Sequence, residues 1–271
     1  MILDIALYLA VGAAAGLLAG LLGVGGGLII VAALAWLLPL RGFPADHVMH
    51  VALATSLASI VMTSLSSTRS HWKRGSVLWP SVAALAPGMV VGGLAGAQLA
   101  SHMPSDVLRY VVAGYCLIAA AQLRYGQVKA GRGETDAAPT GALLFGAGIG
   151  IGMFAAIVGI GGGSMTVPLL VWLGVAPVRA VGTSAACGFA IAIASAAGFV
   201  YGGHAVAASL PAGSLGFVYL PAAAGIALAS VLVAPLGVRL AHALSGATLK
   251  LVFAGFLVLM GLIVALSSQV A

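Results

Sequence analysis

Apolar runs follow one another along almost the entire chain, and they constrain its fold more than any other feature. A helix needs about 20 apolar residues to cross the hydrocarbon core of a bilayer, and several runs approach or exceed that length. Only 6% of the 271 residues are charged, whereas a soluble domain carries about 25%. The sequence therefore predicts an all-α polytopic membrane protein without a separate soluble domain. The runs are 5–22, 28–40, 49–67, 77–100, 107–123, 140–158, 164–175, 180–201, 214–236 and 247–267.

Glycine clusters interrupt the apolar sequence at two places. The first is Gly23–Gly27 and the second is Gly159–Gly163. Each glycine in a helix interior costs about 1 kcal/mol relative to alanine, so a helix should break at both clusters. The run after each break is short; at about 1.5 Å per residue, residues 28–38 cover roughly half of the bilayer core. We expect both breaks at membrane depth beside a cavity, because irregular backbone survives there only inside protein or next to water.

The ten runs divide into two sets of five that resemble each other beyond the glycine clusters. An odd number of elements per copy places the second copy upside down relative to the first. The predicted fold is therefore two inverted repeats of about five helical elements, each with a glycine-broken helix pair. We divide the chain into a first transmembrane repeat (1–124), a cytoplasmic linker (125–139) and a second transmembrane repeat (140–271). The matching segments are 54–57 with 182–185, 86–88 with 220–222 (which pairs Pro87 with Pro221), and 108–114 with 249–255.

The lysines and arginines agree with this plan. If the loop 68–76 is cytoplasmic, only Arg41 and Arg109 of the eleven basic residues lie outside, as the positive-inside rule requires. The counterpart of that loop, 202–213, has no basic residue, and this opposite bias is what inversion demands. We expect a multi-pass protein of the bacterial inner membrane with both termini periplasmic. The net charge of +6 forms no basic face, so we expect no nucleic-acid partner.

The polar groups predicted at membrane depth favour an anion. All five acidic residues lie in tails, turns or the linker, so the spans lack the carboxylates typical of cation-driven antiporters. A helix N-terminus offers unpaired N–H groups and a partial positive charge, and glycine lets a ligand approach them. Two such N-termini would converge near the midplane, with Thr and Ser hydroxyls as further donors. The predicted substrate-binding residues are Gly25, Gly26, Gly27, Thr55, Ser56, Gly161, Gly162, Gly163, Ser164, Thr183 and Ser184.

Several of these residues have structural interpretations as well. Glycines in membrane helices often serve close packing, which we expect of Gly92, Gly93, Gly96 and Gly225, and Thr or Ser hydroxyls often bond to backbone. His47 and His50 have helical spacing but no third ligand, so we interpret them as a wetted turn rather than a metal site. Cys116 and Cys187 are expected to be apolar filler. One of the other histidines could carry a proton, but the sequence does not select it.

The second glycine cluster and the residues after it resemble a known family. The cluster is followed by Val167-Pro168-Leu169 and then by Gly182-Thr183-Ser184. This pattern resembles the TauE/SafE family of sulfite and organosulfonate exporters, of the toluene sulfonate uptake permease type. The first copy departs from it, with Ala32 in place of the proline and Ala54 in place of the glycine.

The resemblance implies movement of sulfite, sulfoacetate or a related organosulfonate, outward across the inner membrane. The residues themselves indicate only a small anion and alternating access. An anion channel, or a transporter of another small anion, stays open as an alternative. The lack of convergent catalytic groups argues against an enzyme, and we expect no cofactor or metal. The expected partners are the anion and the bilayer, with a coupling proton or sodium ion and a second copy of the chain as further candidates.

Overall fold

The computed structural model describes residues 2–22, 26–125, 138–243 and 246–266, and within these ranges it forms one α-helix for each predicted run. The predicted all-α membrane architecture is thus confirmed. Gly25 and most of the predicted linker lie outside the described residues. The helices are α1 (Ile2–Leu22), α2 (Gly27–Leu37), α3 (Val48–Lys73), α4 (Trp79–Ser101), α5 (Ser105–Tyr125), α6 (Ala142–Val158), α7 (Gly163–Trp172), α8 (Pro177–Gly202), α9 (Leu220–Ala243) and α10 (Gly246–Leu266).

Short elements join some of these helices. Two 3-10 turns, Pro39–Arg41 and Ala45–His47, connect α2 to α3. A third, His204–Ser209, follows α8 and leads into a small antiparallel hairpin of β1 (Ser214–Leu215) and β2 (Val218–Tyr219).

Two predicted boundaries and one predicted match were wrong. Helix α3 continues to Lys73 and so includes most of the loop predicted at 68–76, whereas the run 214–236 begins with the β-hairpin rather than with helix. Pro221 occupies the first turn of α9, and Pro80 holds that position in α4, while Pro87 lies inside α4. The counterpart of Pro221 is therefore Pro80, because a proline is tolerated at the start of a helix, where its missing N–H needs no partner.

Three described helical segments are long and apolar enough to cross a bilayer: Ala45–Lys73, Trp79–Ser101 and Pro177–Gly202. Helix α3 illustrates their composition, since its residues from Val48 to Leu57 are all buried and include polar ones. It lies at the centre of the molecule, where it packs against α8, α9 and α2. The first half of α3 is enclosed on all sides, and such a segment shows no amphipathic pattern, which is why composition rather than periodicity predicts it.

Glycines allow the other main helix pairs to approach closely. A Cβ added to Gly92 or Gly96 of α4 would lie 2.0 Å from the carbonyl oxygen of Ile149 or 2.3 Å from that of Met153, both on α6. Gly12 makes the same kind of contact between α1 and α9, where its Cβ would lie 2.4 Å from the Ile226 carbonyl oxygen. The packing interpretation of the scattered glycines is confirmed at these positions, as small residues let membrane helices pack backbone to backbone.

Contacts between the helices place them relative to two ends of the molecule. At one end, Asp4 at the start of α1 forms an ion pair with Arg41 just after α2. The other end is where α4 and α6 both begin. There, Ser81 in the first turn of α4 donates a hydrogen bond to the Pro139 carbonyl just before α6, at 2.8 Å. Helices α1 and α2 thus form a hairpin that returns to the end where it began.

Candidate functional site

Both predicted breaks are present, and in each a glycine in the left-handed region precedes the short helix. Gly26 (φ 67°) caps α2 and Gly162 (φ 71°) caps α7. Only glycine adopts this conformation without a steric penalty from a Cβ. The Gly26 carbonyl accepts the Ile29 N–H at 3.1 Å, and the Gly162 carbonyl accepts the Thr166 N–H at 2.9 Å. Each short helix therefore begins at its glycine, with the first N–H groups of its N-terminal turn directed back at the break.

The two breaks meet inside the protein. The Ser56 hydroxyl lies 3.1 Å from the Gly27 carbonyl oxygen and 2.9 Å from that of Gly159, so one buried side chain bridges both glycine clusters. A Cβ on Gly27 would lie 2.6 Å from the Gly159 oxygen. The two glycine clusters are thus in contact, through the start of α2 and the end of α6. The convergence of the two short-helix N-termini near the midplane stays a prediction. Two of the predicted residues, Ser56 and Gly27, thus hold the first half of the chain against Gly159 of the second half.

The predicted threonines hold the two halves together in a reciprocal way. The Thr55 hydroxyl accepts a hydrogen bond from the Tyr219 N–H, and the Thr183 hydroxyl accepts one from the Leu78 N–H, both at 3.0 Å. Tyr219 directly precedes α9, and Leu78 directly precedes α4. Both threonines are fully buried. Each one satisfies the backbone of a helix start that belongs to the other half of the chain.

Most of the other predicted residues that the structure describes belong to the second break. Gly161 is closely packed, because a Cβ on Gly188 of α8 would lie 2.8 Å from its carbonyl oxygen. Ser184 is buried on the same helix. Gly163 begins α7 and is half-buried, as is Ser164 after it. Within the set, Ser164 is the residue that lines an open cavity.

This cavity has a volume of about 600 Å³ and lies between α5, α6 and α7. Tyr115, halfway along α5, places its hydroxyl against the Ser164 hydroxyl in the first turn of α7, and the two side chains are hydrogen-bonded. No sequence pattern had indicated Tyr115 as a site residue. A signal existed, since Tyr115 directly follows the repeated segment 108–114, but one tyrosine in an apolar run does not stand out. The lining residues are Tyr110, Val111, Gly114, Tyr115, Ile118, Gln122, Phe154, Ser164, Met165 and Pro168.

The two short helices differ in burial. Nine residues of the eleven-residue α2 are buried, whereas in the ten-residue α7 only Thr166 and Leu170 are. Helix α2 packs against α3 and α10, and α7 packs mainly against α8. The short helix of the first break, α2, is therefore enclosed by protein, whereas that of the second break, α7, borders the cavity.

The histidine pair lies away from both breaks. His50 is only 3% exposed, so its interpretation as part of a wetted turn was wrong. Its Nε2 lies 2.9 Å from the Met103 carbonyl oxygen, and its ring stacks on Phe217 of the β-hairpin. The His47 ring contacts the His50 ring edge-on and the Phe217 ring at a tilt. The β-hairpin covers the histidine, and sequence periodicity could not predict that. Among the described residues, no group of three potential metal ligands occurs.

The two cysteines, Cys116 and Cys187, are free and buried, as expected of apolar filler.

Comparison with known proteins agrees with this architecture. The family model "Sulfite exporter TauE/SafE" matches residues 8–264. A probable membrane transporter protein of Haemophilus influenzae is 35% identical over 258 residues, which cover 95% of this chain and 97% of that protein. The probable membrane transporter protein YunE of Bacillus subtilis is 28% identical over 210 residues, covering 71% of this chain and 77% of YunE. No solved structure matches significantly. The chain therefore belongs to the sulfite exporter TauE/SafE family and is a multi-pass membrane transporter rather than an enzyme.

Proposed function

We propose that the protein is a secondary transporter that exports a small sulfur-containing anion, namely sulfite, sulfoacetate or a related organosulfonate. The observation that carries the proposal is the meeting of the two glycine breaks, bridged by Ser56. Each break starts a short helix whose first N–H groups and partial positive charge favour an anion. The sulfur chemistry and the outward direction come from the family to which the chain belongs.

Alternating access between two inverted repeats is the mechanism we propose. The packing partners of the helices support it, because α1 packs on α9 and α6 packs on α4, which are equivalent pairs under exchange of the two halves. The central pair α3 with α8 and the outer pair α5 with α10 map onto themselves. The reciprocal hydrogen bonds of Thr55 and Thr183 follow the same exchange. Such symmetry provides two equivalent packings of one architecture, which is what a rocking transporter needs.

The ends of the helix pairs support the inversion and the predicted topology. The pair α1–α2 begins at the end marked by Asp4 and Arg41, whereas α6 begins at the end marked by Ser81 and Pro139. With the positive-inside assignment, the first end is periplasmic, the second is cytoplasmic, and both chain termini lie in the periplasm of an inner-membrane protein. The linker 125–139 is then cytoplasmic.

The difference in burial between α2 and α7 supports a site open on one side. Helix α2 is enclosed, and α7 borders the cavity of about 600 Å³ at its N-terminal turn. In an alternating-access cycle, the two short helices would exchange these environments.

Counterflow in proteoliposomes tests the proposal. Vesicles loaded with unlabelled sulfite should take up external radiolabelled sulfite transiently above the level of empty vesicles, and uptake should saturate. Uptake that does not saturate and ignores internal sulfite would indicate the alternative, an anion channel. A flux equal to that of protein-free liposomes for sulfite and sulfoacetate alike would contradict transport of this class of anion. Imposed proton or sodium gradients in the same vesicles identify the coupling ion.

A further inference from the structure

The hydrogen bond between Tyr115 and Ser164 leaves one donor unused. Each hydroxyl carries one hydrogen, and the single bond between the two oxygens uses one of them. The second O–H is available to a ligand in the adjoining cavity. Apart from Tyr110 and Gln122, the other described lining side chains offer no hydrogen-bond donor. Tyr115 and Ser164 therefore supply the side-chain hydrogen-bond donors of the cavity at the start of α7.

At the equivalent half-site, formed by α2 and α10, the residues that match Tyr115 and Ser164 form no such pair. The offset of 136 residues between the glycine clusters maps Ser164 onto Leu28, and the offset of 141 residues between segments 108–114 and 249–255 maps Tyr115 onto Phe256. Neither counterpart carries a hydroxyl. Leu28 is 5% exposed on the enclosed helix α2. The two half-sites thus share a backbone plan but differ in side-chain chemistry, and the hydroxyl donors belong to the α7 half.

We infer that the Tyr115 hydroxyl contacts the transported anion and, together with Ser164, determines which anions are accepted. The inference rests on the proposed function and assigns recognition to the α7 half-site. On binding, the anion replaces the Tyr115–Ser164 hydrogen bond, and each hydroxyl donates to an anion oxygen. Charge-assisted hydrogen bonds of this kind are strong and directional. Two directed donors favour an oxyanion, which presents several oxygens, over a spherical halide.

Binding measurements on the full-length protein in detergent test the assignment. The probes are sodium sulfite and sodium sulfoacetate, with sodium chloride for comparison, and the readout is Kd by titration calorimetry. The variants are Tyr115→Phe, Ser164→Ala and the double variant. Tyr201→Phe is the matched control, because Tyr201 is 79% exposed at the end of α8 and does not line the cavity.

We expect Tyr115→Phe to weaken sulfite binding by about tenfold to a hundredfold, the loss typical of one hydrogen bond to a charged group. Tyr201→Phe should stay within about twofold of wild type, a change too small for the loss of such a bond. If Tyr115 contacts the anion itself, Tyr115→Phe should also weaken binding when Ser164 is already alanine. Any binding of chloride should change less than binding of sulfite.

Three results would overturn the inference. The first is a Tyr115→Phe protein that melts at a lower temperature but binds sulfite like wild type, since the hydroxyl would then have only a structural role. The second is a loss that disappears on the Ser164→Ala background, because Tyr115 would then act only by positioning Ser164. The third is a wild-type protein that binds none of the probes; this contradicts the proposed function first, and the inference falls with it. The first two leave the proposed function intact.

Discussion

At the scale of single residues, the predicted polar residues divide into two groups. Thr55, Thr183 and Ser56 are buried and hydrogen-bonded to backbone atoms of the opposite half of the chain. Ser164 borders a cavity and is bonded to Tyr115. The role of each hydroxyl therefore follows from its hydrogen-bond partner: a backbone atom of the other half of the chain, or a side chain beside the cavity. The Thr-Ser motif contributes to the assembly of the two halves. The side chains that we propose recognise the anion are Tyr115 and Ser164 instead.

Replacing Thr55 or Thr183 by valine should lower stability without changing anion affinity. Valine keeps the shape but removes the acceptor of a buried N–H group, which costs about 1–3 kcal/mol. The two variants should lose similar amounts, since their hydrogen bonds are reciprocal. Unfolding of the purified proteins in detergent gives the stability, and titration with sulfite gives the affinity.

Thr63→Val is the control for this pair. Thr63 is half-buried on the same helix as Thr55, and its hydroxyl donates only to the Ile60 carbonyl one turn earlier. It should stay within about 0.5 kcal/mol of wild type. A Thr55 or Thr183 variant that keeps its stability but no longer binds sulfite would show that the hydroxyl serves the substrate instead.

At the scale of helices, close backbone contact at glycines joins the pairs α1–α9 and α4–α6. Gly92 is an informative position, because its added Cβ would lie 2.0 Å from the Ile149 carbonyl oxygen. The backbone of α6 offers no flexible side chain that could move aside. The α4–α6 contact therefore depends on glycine at this position, independently of any role in transport.

Gly92→Ala should destabilise the protein by about 1–3 kcal/mol, the usual cost of overpacking. Gly150→Ala on α6 is the matched control, since an added Cβ there meets nothing within 4 Å. The control should be neutral, or stabilised by up to about 1 kcal/mol through the higher helix propensity of alanine. Equal melting temperatures for the two variants would contradict the packing at this contact.

The helices and their breaks could be predicted from the sequence, whereas contacts between distant segments could not. Apolar length and the cost of glycine in a helix predicted ten helices and both breaks, because those effects act locally along the chain. The burial of His50 under Phe217 depends on a hairpin more than 150 residues away in sequence, so no local pattern contains it. The Tyr115–Ser164 pair joins α5 to α7 in the same way. The difference in burial between α2 and α7 arises only when the whole molecule is assembled.

At the scale of the whole molecule, inversion predicts that two equivalent segments lie on opposite sides of the membrane. Lys73 ends α3 and Ser209 follows α8, and both are exposed. On a background with alanine at Cys116 and Cys187, a membrane-impermeant maleimide should label Ser209→Cys in intact cells. It should label Lys73→Cys only after the membrane is opened. Labelling of both positions from the same side would contradict the inverted arrangement.

Binding of the anion where α7 begins, beside Tyr115 and Ser164, underlies both the proposed function and the proposed recognition by hydroxyl groups. Its most direct test is the anomalous scattering of selenium in crystals of the Cys116→Ala, Cys187→Ala protein grown with selenite, an analogue of sulfite. We expect a selenium peak in the cavity between α5, α6 and α7, with the selenite oxygens about 3 Å from both hydroxyl oxygens. A peak elsewhere, for example beside His47 and His50, or no peak at saturating selenite, would contradict it.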